Sequence, residues 1–134
     1  KELWGKSKGI KFRVSFMSFG YKYGVHIDAD LLIDVRFLPN PFYIPELKEK
    51  TGNDKEVQDF VFKQEATTIF LEKYTDLLAF LLPMYEKEGK SNLTVGIGCT
   101  GGKHRSVTLT NYLAEKIGEM GYQAEKRHRD IERK

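Results

Sequence analysis

Apolar and polar positions change rhythm along the chain, and each change marks an element. From Ile10 to Met17, Ile10, Phe12, Val14 and Phe16 alternate with Lys11, Arg13 and Ser15, the period of a half-buried strand. Ser18 to Gly24 follows, a glycine-bounded loop with three aromatics and Lys22 that either covers the core or faces a ligand. Leu31 to Val35 reads as a second strand, broken only by Asp34 near its end, and strand alternation places Asp34 and Arg36 on one face. Phe37 to Pro45 holds three of the four prolines and is predicted to be a stiff extended loop, either a rim or a connector.

The rhythm then becomes helical. Asn53 and Glu56 have capping-box spacing, and Val57, Phe60 and Val61 form the stripe of a short helix. A longer helix is predicted from about Ala66, with Phe70, Tyr74, Leu77, Leu78 and Leu81 facing the core, Pro83 kinking or restarting it and Gly89 ending it. Leu93 to Ile97 reads as a buried strand, Leu109, Leu113 and Ile117 as one helical face, and Tyr122 to Lys126 as a last strand after a stop at Gly121. Strands separated by helical crossovers predict an α/β fold: a single three-layer domain, a mainly parallel sheet with helices on its faces.

Composition narrows the class. A chain of 134 residues with 40% hydrophobic and 13% aromatic content suits one globular domain over residues 10–134, with residues 1–9 a lead-in or the end of a linker. One cysteine cannot make an internal disulfide, and with no secretory pattern at the start a cytoplasmic location is expected. His26, His104 and His128 are far apart, so neither a metal nor another cofactor is expected. The last segment, Lys126 to Lys134, holds five Lys or Arg against two acids and so carries all of the net charge of +3. It is either a solvated terminus or an arm for a polyanion such as RNA, through Lys126, Arg127, Arg129, Arg133 and Lys134.

The densest chemistry lies in Gly98-Cys-Thr-Gly-Gly-Lys-His-Arg-Ser106, between the predicted buried strand and the helix after it. A glycine-rich turn entering a helix presents unpaired backbone N–H groups and the positive end of the helix dipole, a natural seat for an anion. The stretch is not a Walker A loop: its glycine spacing is one residue too long and His104 replaces the magnesium-binding hydroxyl. Cys99, Gly102, Arg105 and Ser106 do match the C-x-x-G-x-x-R-S loop of protein tyrosine phosphatases, in which a thiolate and an arginine meet a phosphate. Gly98 replaces the His that precedes that nucleophile, and no Trp-Pro-Asp segment supplies an acid; Asp28, Asp30 and Asp34 are the possible substitutes. Two readings follow: a binding loop with no catalytic residue, or a cysteine-dependent phosphatase using Cys99 and Arg105.

Taken together, Ser18–Gly24, Asp28–Asp30, Asp34–Pro41, Thr51-Gly52, Leu93–Val95, Gly98–Ser106 and Arg127–Arg129 resemble the carboxyl-terminal domain of the RapZ/YvcJ family of RNase adapters and nucleotide-binding proteins. The resemblance implies a domain similar to part of a phosphofructokinase that forms homo-oligomers, binds small RNA and senses glucosamine-6-phosphate. It implies a pocket lined by Asp34, Arg36, Cys99, Thr100, Gly101, Gly102, His104 and Arg105, to which the loop chemistry adds Ser106. It also implies that nucleotide binding and any NTPase activity belong to an amino-terminal P-loop domain outside this chain. Two positions depart from the RNA-binding members: Phe42 stands where a His follows the Pro-Asn-Pro segment, and Tyr122 stands where a basic residue is expected.

Overall fold

The computed structural model describes residues 12–25 and 27–133. Strands Arg13–Gly20 (β1), Leu31–Asp34 (β2), Asn92–Cys99 (β3) and Gln123–His128 (β4) form one sheet in the order β2-β3-β1-β4. Every pairing is parallel, so the α/β expectation holds throughout the sheet. Residues 21–30 carry the chain from β1 to β2. Helices Lys55–Lys63 (α1) and Glu65–Lys87 (α2) lie between β2 and β3, and Arg105–Glu119 (α3) lies between β3 and β4.

The core forms where the apolar side of the two inner strands meets the helices. Register sets Val14 beside Leu93 and Phe16 beside Val95, and these join Leu71, Tyr74, Leu78, Leu82, Leu109, Leu113 and Ile117 in one buried cluster. Burying each such aliphatic or aromatic side chain contributes roughly 1.5–3 kcal/mol. The opposite side of β3 is narrow at Gly96, where a Cβ would lie 2.6 Å from the Ile27 side chain. Ile27 and Ala29 therefore lie against that side of the sheet. Among the described residues no helix is long and apolar enough to cross a membrane.

Several boundaries differ from the sequence expectation, each for a tertiary reason. Ser18, Phe19 and Gly20, expected in a loop, complete β1 because they pair with Ile97, Gly98 and Cys99, and Phe19 is fully buried. Ile10 lies outside the described residues. The buried stripe of α2 is Thr67, Leu71, Tyr74, Leu78 and Leu82, whereas Leu77 is exposed and Phe70 and Leu81 are half-buried. This helix is apolar on two sides, so periodicity alone could not choose between them. Pro83 sits near the end of α2 without breaking it, and Gly89 follows in a Schellman-type stop, with Lys90 N–H on the Tyr85 carbonyl and Gly89 N–H on that of Glu86. The Asn53–Glu56 capping box does not form. Asp54 is the N-cap of α1 and its carboxylate receives the Thr51 N–H at 2.8 Å, while the Asn53 side chain accepts from Asn111 at 2.8 Å.

The strand order fixes where a ligand would go. The connection leaving β1 passes β3 to reach β2 and the one leaving β3 passes β1 to reach β4, so the chain leaves these two adjacent strands in opposite directions at their carboxyl ends. Such switch points are where open parallel sheets leave a crevice.

Candidate phosphate pocket

The crevice is built by two close-packed turns. A Cβ on Gly20, at the end of β1, would lie 2.5 Å from the Gly101 carbonyl carbon, and one on Gly102 would lie 2.6 Å from the Gly20 nitrogen. Gly102 also has φ +77°, a conformation open to glycine. Lys22 N–H bonds the Thr100 carbonyl at 3.1 Å, and Gly52 N–H bonds the Lys103 carbonyl at 2.7 Å. The loop is thus clamped from β1 and from the segment before α1. Its own amides are not used: among the described residues, no backbone N–H from Thr100 to Arg105 donates to a protein acceptor. Gly102, His104 and Arg105 are buried, where an unmet N–H costs about as much as a lost hydrogen bond.

Arg105 lies under this loop with only 3% of its surface exposed. Its Nη1 donates to the carbonyls of Arg36 at 3.0 Å and Leu38 at 2.8 Å, which ties the loop after β2 to the start of α3. Nη2 reaches Thr100 Oγ1 only at 3.4 Å, and Nε has no partner. One edge of the guanidinium, Nε and Nη2, is therefore left to grip two oxygens of an anion. Burial lowers the Arg105 pKa, with the Cys99 sulfur and Asp34 acting in the other direction. Beside it, Cys99 Sγ receives the Ser106 N–H at 3.4 Å and lies 3.2 Å from Ser106 Oγ. Burial also lowers the pKa of His104, against the carbonyls of Lys50, Lys48 and Leu47, so its ring is neutral near pH 7; its Nε2 lacks a partner.

Above this floor is a pocket of about 330 Å³. Cys99, Thr100, Gly101, His104 and Arg105 line it, with Gly102 and Ser106 as supports behind. The proline segment does stand at its rim: Asn40 caps the Pro41–Tyr43 turn by accepting the Phe42 N–H, and Asn40, Phe42 and Tyr43 face the pocket. Lys22, Tyr23, Lys48, Glu49 and Lys103 complete the wall. Lys48 and Glu49 are contributors that sequence reasoning missed, because nothing in the sequence separates them from other charged surface pairs.

Asp34 and Arg36 are placed differently from the rest of the expected set. They form an exposed ion pair, Arg36 Nη2 to Asp34 Oδ2 at 2.7 Å, with the guanidinium 4.0 Å over the Tyr21 ring, and they do not line the pocket. Hydrogen bonds from Arg36 are the main reason that the Asp34 pKa is lowered. Only the Arg36 carbonyl reaches inward, to Arg105. Asp28 and Asp30 are elsewhere: Asp30 holds Lys90 at 3.0 Å and the Thr94 N–H at 2.8 Å, and Asp28 lines a groove with Ser15, Met17 and Arg127.

Two arginines of the basic terminus are spent within the molecule. Asp130, fully buried, accepts the Gly20 N–H at 2.7 Å, Arg129 Nη2 at 2.9 Å and Arg133 Nε at 2.6 Å. Arg129 also donates to the Gly24 carbonyl at 2.7 Å, and Arg133 lies 4.7 Å over the Tyr23 ring. Lys103 Nζ donates to the Arg133 carbonyl. Of the five residues expected to meet a polyanion, Lys126 and Arg127 are exposed with no ion-pair partner among the described residues, Arg129 and Arg133 are engaged, and Lys134 lies outside the described residues. The signal for Asp130 was visible but went unread: a single acid set inside a run of bases.

Similarity to known proteins agrees with this architecture. The chain is 57% identical over 133 residues to a nucleotide-binding protein of Heliobacterium modesticaldum, covering 98% of the chain and 44% of that relative. Identity is 54% over 128 residues to a nucleotide-binding protein of Carboxydothermus hydrogenoformans, covering 96% of the chain and 44% of the relative, and 58% over 123 residues to one of Bacillus thuringiensis, covering 92% and 42%. The chain thus spans less than half the length of the curated relatives it matches. The family described as the RapZ C-terminal domain matches residues 12–132, from the residue before β1 through the Asp130 turn. With both crevice strands, the glycine loop and the terminal turn inside that match, the chain belongs to the RapZ C-terminal domain family.

Proposed function

We propose that the domain is regulatory and works by binding a phosphorylated sugar of the glucosamine-6-phosphate kind, with the phosphate in the loop from Thr100 to Ser106. The observation that carries this is the buried Arg105, whose Nε has no partner and whose Nη2 holds only a 3.4 Å contact to Thr100 Oγ1, beneath a run of amides that meet no protein acceptor. A phosphate would satisfy both at once. The walls suit the rest of such a ligand. Phe42 and Tyr43 offer apolar surface to the C–H side of a sugar ring, Tyr23 being already covered by Arg133, Asn40 keeps an amide for hydroxyls, and Glu49, the one carboxylate on the pocket wall, suits a hydroxyl or an amino group. In this reading Asp34 acts at a distance, by fixing Arg36 and the loop that Arg105 holds.

The family resemblance extends the proposal to RNA and to self-association. Lys126 and Arg127 are the exposed cations that would meet RNA phosphates. The outer side of α2, with Ile69, Leu77, Phe80 and Met84 exposed, is the apolar surface a homo-oligomer would cover. The relatives are titled nucleotide-binding proteins, and we assign their nucleotide to the part of their length that this chain does not span.

Calorimetry tests the central reading. Glucosamine-6-phosphate is expected to bind more tightly than inorganic phosphate, and glucosamine without phosphate is expected not to bind. A sugar phosphate no tighter than inorganic phosphate would reduce the pocket to a plain anion site, and absence of all phosphate binding would end the reading.

A further inference from the structure

We infer that the pocket also performs phosphoryl transfer, with Cys99 as the nucleophile, so that a phosphate monoester held in the loop is cleaved through a phosphocysteine. Two independent observations meet here. The first is the sulfur: Cys99 closes β3 at the foot of the pocket, and both the Ser106 N–H and Oγ lie within hydrogen-bonding reach of Sγ, at 3.4 and 3.2 Å. Here Sγ donates to Ser106 Oγ and accepts the Ser106 N–H; the same two groups hold the sulfur in place and would both donate to it on attack as a thiolate. The second is Arg105, which is buried, lines the same pocket and has an Nε with no partner. An arginine that served only to tie loops together would need Nη1, which already holds the Arg36 and Leu38 carbonyls. Its remaining edge is suited to the spread charge of a phosphoryl group in transfer.

The spacing supports this assignment. Cys99 and Arg105 bracket the loop, Gly102 supplies its positive-φ turn, and Ser106 closes it over the sulfur. Cys99 and Arg105 are the catalytic residues of this proposal, and Ser106 is a positioning residue. In the first step the Cys99 thiolate attacks phosphorus, an S–P bond forms, and the ester P–O bond breaks with its electron pair leaving on the alcohol oxygen. In the second step water attacks phosphorus, the S–P bond breaks, sulfur recovers its electron pair as thiolate, and inorganic phosphate leaves with the oxygen of water. The water proton passes to the product or to solvent. No oxidant or metal enters the balance.

The weak point of the site is protonation of the leaving alcohol. Asp30 and Asp34 are held by Lys90 and Arg36, and Asp28 lies in another groove, which leaves Glu49 as the one carboxylate on the pocket wall. Aryl esters, whose leaving oxygen departs without a proton, are therefore the best substrates and alkyl sugar phosphates the poorer ones.

The inference rests on phosphate occupying the loop, and its test separates the two claims. The 134-residue chain is assayed with p-nitrophenyl phosphate, beside Cys99→Ser and Ser106→Ala variants whose melting curves match the unaltered chain. Inorganic phosphate binding to each is measured by calorimetry. Expected are release of p-nitrophenolate by the unaltered chain, loss of it in Cys99→Ser to the level of buffer, a slower second step in Ser106→Ala, and a mass gain of one phosphoryl group on the Cys99 peptide after quenching in denaturant at alkaline pH, a gain that mild acid removes. Phosphate binding in Cys99→Ser should persist. Binding without release, or release that survives Cys99→Ser, overturns the phosphoryl-transfer proposal and leaves the sensor reading standing. Absence of phosphate binding overturns both.

Discussion

The loop from Cys99 to Ser106 and the terminal segment from Lys126 to Arg133 are both rich in bases, and in the sequence both are candidates for meeting an anion. The fold treats them in opposite ways. In the loop, Arg105 is buried yet keeps Nε unpaired, because its other nitrogens meet neutral carbonyls and a hydroxyl and no carboxylate. In the terminal segment, one buried acid, Asp130, gathers Arg129, Arg133 and the Gly20 N–H. Formal charge is therefore a poor guide to available charge. A buried cation with no carboxylate in direct contact, held where water is scarce, offers more to a ligand than arginines whose donors are already engaged by an internal acid.

The largest expected effect on stability comes from breaking the terminal side of this comparison. Asp130→Asn should destabilise the fold by about 1–3 kcal/mol, since two arginines, one of them half exposed, lose their carboxylate beneath the Gly20 turn. Thermal melts measure this, and a variant that melts like the unaltered chain would show that Asp130 holds nothing together. The pH dependence has a defined sign. Burial alone would raise the Asp130 pKa, but Arg129, the Gly20 N–H and Arg133 hold it below the ordinary carboxylate value. Its contribution is therefore complete above the unfolded pKa of about 4 and is lost as pH falls through the lower folded value. Asp130→Asn should flatten the acid limb of the stability curve in that window.

Next is the loop side. Arg105→Lys keeps the charge but loses the fork, so the carbonyls of Arg36 and Leu38 and the two oxygens of a bound phosphate cannot all be served. Affinity for inorganic phosphate should fall by roughly tenfold to a hundredfold, about 1.5–3 kcal/mol for a charged hydrogen-bonding edge. Equal affinity in the lysine variant would mean that charge alone, without geometry, accounts for the site. The smallest effect is expected where the terminal segment is still available. Neutralising Lys126 and Arg127 together should leave melting unchanged and reduce the salt dependence of RNA binding by about one phosphate contact each. An unchanged slope would move the RNA surface away from β4.

Much of the architecture was legible in local pattern. The alternation around Phe12, Val14 and Phe16, the run through β3 and the stripe Leu109, Leu113, Ile117 each depend on nearest neighbours and periodicity, and each formed as read. Errors arose where two local answers were equally good. α2 is apolar on two sides, and only packing on α3 and the sheet selects Leu71 and Leu82 over Leu77 and Leu81. Likewise Ser18 to Gly20 look like a loop until β3 is beside them, because a strand needs a partner to satisfy its hydrogen bonds.

The sequence by itself determined the chemistry at the turn: a cysteine, three glycines, an arginine and a serine at spacings that can surround a phosphate need no distant partner to be recognised. Tertiary structure alone decided which charges that chemistry could use. Lys48 and Glu49 reached the pocket wall, Asp34 and Arg36 closed on each other outside it, and Asp130 drew in the terminal arginines. The physical reason is range: backbone conformation is set by adjacent residues, whereas the fate of a charge depends on burial and on whichever opposite charge the fold brings within a few ångströms.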